Sequence, residues 1–172
     1  RELGQFSGGA NARLIQLDPN AVVLGSGNIY NQAHISRFEI RGSASEAIGL
    51  LNLSVRGVGN EIDYSTIRLS YQLGATPVES FFPRIELERT PLGPPGAGGG
   101  FAVTSYVEWN LIGLGVTDYT IKFEAADVSL SLDSAVVDTL SSTQAQLVPE
   151  PQTWALLGAG VALLAARHWR RR

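Results

Sequence analysis

From residue 12 to residue 133 the apolar side chains recur at every second position, the period of a strand with one face on a core and one in water. Residues 51–56 place Leu51, Leu53 and Val55 on one side and Asn52, Ser54 and Arg56 on the other. Residues 67–73 repeat the pattern with Ile67, Leu69, Tyr71 and Leu73 against Arg68, Ser70 and Gln72. No window in this stretch repeats at 3.6 residues, so no helices are available as crossovers between parallel strands. The chain is therefore restricted to antiparallel β architecture.

Further strands are predicted at 34–41, with Phe38 and Ile40 inward, and at 84–89, with Ile85 and Leu87 inward. Residues 101–111 carry Phe101, Val103, Val107, Trp109 and Leu111 on one parity, with the small Ser105 between them; residues 119–124 alternate again. The apolar parity then changes from odd to even at Val128, Leu130 and Leu132, which requires a bulge or turn near Ala126-Asp127. Short runs at 14–17 and 22–24 bring the total to about eight or nine strands. Asp18-Pro19-Asn20, Gly25-Ser26-Gly27-Asn28, Gly57-Val58-Gly59-Asn60 and Gly113-Leu114-Gly115 supply turns between them. This spacing predicts an all-β antiparallel sandwich or jelly roll. The Gly/Pro-rich residues 91–100 read as a long surface loop within it.

A chain of 172 residues is enough for one such domain. We divide it into a sandwich at 1–138, a linker at 139–147 and a C-terminal segment at 148–172. The first residue is not Met, so an N-terminal segment, a signal peptide among the candidates, is expected to have been removed, although Arg1-Glu2-Leu3-Gly4 offers no apolar run that identifies one. There is no Cys, which removes disulfides and thiolate chemistry; the two histidines, His34 and His168, are too few for a His-rich metal site. His34 is predicted to open a strand.

Charge separates the chain close to that boundary. Residues 1–150 hold nine basic and sixteen acidic groups, a net −7, whereas residues 151–172 hold four Arg and no acid. An acidic body lacks the clustered Lys and Arg that displace counterions from nucleic acid, so no nucleic-acid partner is expected.

The last segment has three parts in a fixed order. Pro149-Glu150-Pro151 comes first; an apolar run containing Trp154, Leu156, Leu157, Val161, Leu163 and Leu164 follows; Arg167, Arg170, Arg171 and Arg172 close the chain. The prolines flanking Glu150 disfavour helix and favour an extended backbone, the form a processing enzyme seats in its cleft. Thirteen apolar residues as a helix span only about 20 Å against a hydrocarbon thickness of roughly 30 Å, a short span that needs thinning or snorkelling. Trp154 suits one interface and the Arg cluster the other, with Arg on the cytoplasmic side and the body across the membrane.

This order resembles the PEP-CTERM sorting signal of Gram-negative bacteria over residues 148–172. The resemblance implies recognition by an exosortase, an integral-membrane transpeptidase-like enzyme that cleaves near Pro149-Glu150-Pro151. It implies an exported protein, held in the inner membrane as a transient precursor and then secreted or placed at the cell surface, in a setting of exopolysaccharide and biofilm matrix. Residues 130–137 also resemble the last strand of jelly-roll ectodomains bearing such tails, with Ser134 where Asn or Asp is usual.

Within the body, chemistry is sparse. Jelly-roll glycoside hydrolases pair two carboxyls about 5 Å apart on one strand face. Residues 59–66 offer Glu61 and Asp63, but Ser65 and Thr66 stand where the second Glu would be, and the segment reads as a solvated turn before the strand at Ile67. Glu86 and Glu88 share a face, and Glu108 and Glu124 lie on the polar faces of other strands; brought together they could hold Ca²⁺, as could Asp118, Asp127 and Asp133 in loops. Outward charge that keeps the strand surface soluble and the edges unpaired is the preferred reading of the four glutamates. Trp109 has core parity. Tyr30, Tyr64, Phe81, Phe82 and above all Tyr106 are the aromatics expected to face solvent, and Tyr106 is the candidate glycan contact. The reading is of an exported non-enzymatic surface or matrix protein with no cofactor. Its alternative is a carbohydrate-binding module, with Ca²⁺ admitted as a ligand, and a hydrolase-like enzyme ranks third.

Overall fold

A computed structural model describes residues 2–5, 11–81, 84–93 and 100–146. They form two six-stranded sheets packed face to face. The first has the order β1 (Glu2–Gln5), β2 (Asn11–Gln16), β5 (Arg37–Ser43), β11 (Asp118–Ala125), β7 (Ile62–Leu73) and β8 (Thr76–Ser80). The second runs β3 (Val22–Val23), β4 (Ile29–Tyr30), β12 (Leu130–Ser141), β6 (Ile48–Gly59), β10 (Phe101–Asn110) and β9 (Ile85–Pro91). Every pairing between the described strands is antiparallel, as the absence of crossover helices demanded.

Alternation places the core between the sheets. Leu51, Leu53 and Val55 of β6 and Val107 and Trp109 of β10 meet Phe38 and Ile40 of β5, Ile67 and Leu69 of β7, and Ile121 and Phe123 of β11. Phe38 and Phe123 stack with ring centroids 5.1 Å apart. Each fully buried side chain of this size contributes about 1.5–3 kcal/mol through removal from water. Tyr119 lies over Gly42, where a Cβ would come within 2.3 Å of its ring, so the aromatic is seated by the lack of a side chain opposite.

The described strands number twelve. Beyond the nine expected are β1, the two-residue β4, too short to show a period, and β8, whose Pro77 argues against a central strand and fits the sheet edge it occupies. The expected parity change is a turn at 126–129, with Ser129 at φ 67°, and Val128 belongs to that turn. A second change follows, since the register shifts between Leu132 and Ser134, and burial moves from Leu130 and Leu132 to Ala135 and Val137. Asp133 at that bulge pairs with Arg56 at 3.0 Å.

Several expectations are corrected. His34 lies in a bend before β5, which starts at Arg37. Leu87 and Phe101 are 44% and 50% exposed: β9 is an edge strand and Phe101 starts β10 at the loop end of its hairpin, so the proper parity finds no opposing sheet. That hairpin joins Phe101 to Pro91, and Leu92 N donates to Gly100 O at 3.1 Å across the loop mouth. Residues 139–146 are not a linker: β12 continues to Ser141 and a helix α1 (Ser142–Gln146) follows. The apolar helix expected after it lies outside the described residues.

Candidate functional site

The outward face of the second sheet is set by register. β10 turns Val103, Ser105, Val107 and Trp109 inward, which leaves Thr104, Tyr106 and Glu108 outward. Tyr106 pairs with Glu86 of β9 on one side and Ser54 of β6 on the other, and Ser54 pairs with Val136 of β12. In the next row Glu108 and Asp138 flank Asn52. Tyr106 is 43% exposed, and its hydroxyl donates to Glu88 Oε2 at 3.2 Å. Arg84 pairs with Glu86 at 2.8 Å. A groove of about 360 Å³ runs along these rows, with Tyr106, Asn52, Ser54, Glu86, Glu108 and Asp138 in its walls. It offers an aromatic platform edged by hydrogen-bonding groups, most of them acceptors.

The other aromatics do different work. Trp109 is core, with its indole N–H unpartnered. Phe81 is exposed beneath the Arg68 guanidinium, 3.7 Å from the ring centroid. Tyr30 and Tyr64 are half-buried, and Phe82 lies outside the described residues.

Glu61 and Asp63 are each engaged by neighbouring side chains. The segment is already strand from Ile62, not a solvated turn. Arg89 of β9 donates to Glu61, and the Tyr64 hydroxyl donates to it at 2.5 Å, so the carboxylate ties one edge of the two sheets together. The Arg89 guanidinium first, and the Tyr64 hydroxyl second, hold the Glu61 carboxyl below its usual range. Burial, and then Glu61 itself, push the Tyr64 phenol up. Asp63 Oδ1 accepts from Ser65 N at 2.9 Å and Ser65 Oγ at 2.6 Å, a local turn contact.

Glu86, Glu88 and Glu108 share the second sheet, whereas Glu124 lies on β11 of the first. Asp118 accepts from Thr117 at 2.8 Å, Asp127 from Val128 N at 2.7 Å, and Asp133 is held by Arg56. Among the described residues no group of three or more His, Asp or Glu is placed to hold a metal ion.

The body ends in a feature the sequence reading missed. Ser141 N donates to Gln144 Oε1 at 3.2 Å and Gln144 N to Ser141 Oγ at 3.2 Å, a reciprocal capping box whose Ser-x-x-Gln spacing is visible in the sequence. Ser142 N donates to Ala47 O at 2.7 Å, and Ala145 is buried against Gly49 of β6.

Pro149, Glu150, Pro151, the apolar residues from Trp154 to Leu164 and the arginines 167 and 170–172 lie outside the described residues. Comparison of sequences reaches them. Residues 147–172 match the family model of the PEP-CTERM protein-sorting motif, immediately after α1. The chain thus carries the sorting tail of an exported protein that is made as a membrane-anchored precursor and handled by an exosortase. Among the described residues no helix is long and apolar enough to cross a membrane. No curated protein matches the chain. Among solved structures it is similar to the enzymatically active domain of tailspike protein 4 of Bacteriophage CBA120, with 10% identity and a TM-score of 0.38. That likeness covers 77% of this chain but 19% of the tailspike chain, about a fifth of its length.

Proposed function

We propose that the protein is a non-enzymatic component of the cell surface or extracellular matrix, released or re-anchored after its tail is cut and associated with exopolysaccharide in a biofilm. The observation that carries this reading is the sorting motif at 147–172 behind a folded β body. It is supported by the use of the most reactive-looking carboxylates, Glu61 and Asp63, in structural contacts. The reading calls for no cofactor and no nucleic-acid partner.

A second reading, a carbohydrate-binding module, is favoured by the Tyr106 groove. An exposed ring stacks on the apolar face of a sugar, and flanking carboxylates and amides accept from its hydroxyls. The acidic groups Glu86, Glu108 and Asp138 disfavour an anionic glycan there and favour a neutral one, with Ca²⁺ as a bridging ligand only in this reading. Glycan-array binding by the body, lost on Tyr106→Ala with Tm unchanged, would establish the second reading. Retention in the matrix with no such binding supports the first, and turnover of any polysaccharide would sink it.

A further inference from the structure

We infer that α1 is a releasable clasp, and that its docking on Gly49 limits the rate at which the sorting motif is processed. This rests on the reading of the tail as an exosortase substrate.

The motif follows α1 closely in the sequence. Only Leu147 and Val148 separate Gln146 from Pro149, so while α1 is docked Pro149 lies at most about 11 Å of chain beyond it. Five residues before Glu150 is Ala145, whose side chain is buried against the sandwich. An enzyme that seats extended backbone on both sides of Glu150 therefore reaches docked helix within a few residues of the cut. It must do so beside a body far wider than that tether.

The clasp is built to hold weakly. A helix of five residues is too short to persist alone, since nucleation costs more than one turn returns. Three local contacts keep it in place: the Ser141/Gln144 capping box, the Ser142 N to Ala47 O bond and the Ala145 methyl on Gly49. Gly49 is needed for the last of these, because a Cβ there would stand 2.7 Å from both Ala145 Cβ and Ser142 Cα. Ala145 is the one apolar side chain that α1 carries, and release frees Ser142–Gln146, up to about 17 Å of extended chain. If only the undocked form is cut, the rate scales with its population. Ser141 and Gly49 then act as positioning residues that touch no substrate-processing group.

The test is a pulse–chase of the whole precursor in cells that contain the exosortase, with mass spectrometry to separate precursor from product. Ser141→Ala combined with Gln144→Ala weakens the cap without touching the core and should raise the processing rate about threefold to tenfold. Gly49→Ala should act in the same direction by displacing α1. Ten Gly/Ser residues inserted between Gln146 and Leu147 should also raise the rate, leave Tm unchanged, and make the capping substitutions silent. Equal rates for all forms would overturn the clasp, and so would slower cutting of the capping variant, which would show that the enzyme recognises docked α1. If no form is cut, the sorting reading itself falls and the clasp with it, a result distinct from equal cutting.

Discussion

Residues 11–146 and residues 147–172 store information in different ways. In the sandwich a side chain acquires meaning from partners far away in sequence: Tyr106 has a site only because β9, β6 and β12 bring Glu86, Ser54 and Val136 into its row. In the tail the meaning lies in linear order, with Pro149-Glu150-Pro151, the apolar run and the arginines in the sequence that the sorting-motif model matches. The contrast extends to charge. The whole-chain −3 is the sum of an acidic body and a basic address, and removal of the address leaves a more acidic protein. A damaged body should therefore change stability or binding while the cut stays in place, and a damaged tail should do the reverse.

The largest blow to the sandwich is Trp109→Ala. The indole is among the largest fully buried side chains, and its loss should cost about 3–5 kcal/mol and lower Tm by roughly 10 °C. Thermal denaturation measures this, and the product cut from the variant should end at the same residue as wild type. A shifted cleavage site would erase the distinction between the two regions.

A smaller effect concerns alkaline stability. Burial pushes the Tyr119 phenol up to about 12 from an ordinary value near 10. A raised folded pKa means the contribution is full below pH 10 and is lost as pH rises toward 12, because the unfolded chain ionises first. Tyr119→Phe should remove that part of the alkaline loss in a pH series of urea titrations. It should cost little at pH 7, since the hydroxyl has no hydrogen-bond partner in the fold.

The smallest effect is expected at the sheet edge. Glu61 is held below its usual range by Arg89 and Tyr64, so its contribution is present above the unfolded carboxyl pKa and lost as pH falls through the folded value. Glu61→Gln should flatten the acid limb of the stability profile and shift Tm at pH 7 by no more than about 2 °C.

Much of the body was legible because alternation reports which face a residue takes. It assigned Leu51, Leu53, Val107, Trp109, Ile121 and Phe123 inward and Tyr106 outward, as observed. Alternation does not report whether anything lies opposite that face, which is why Leu87 on an edge strand and Phe101 at the loop end of a hairpin were assigned to the core. Nor does it fix register, so the groove around Tyr106 could not be assembled from single strands. Residues 139–146 looked like a polar linker because the local capping signal from Ser141 to Gln144 is short and the burial of Ala145 depends on a glycine more than ninety residues earlier. The tail needed no three-dimensional partner, and its order was sufficient.

The central claim is that residues 147–172 are an address removed from the working protein. The intact mass of the mature extracellular protein tests it most directly. The account predicts a C-terminus close to residues 149–151, without Trp154 or any of the arginines 167 and 170–172. A mature protein whose mass still includes Arg167 to Arg172 would contradict it.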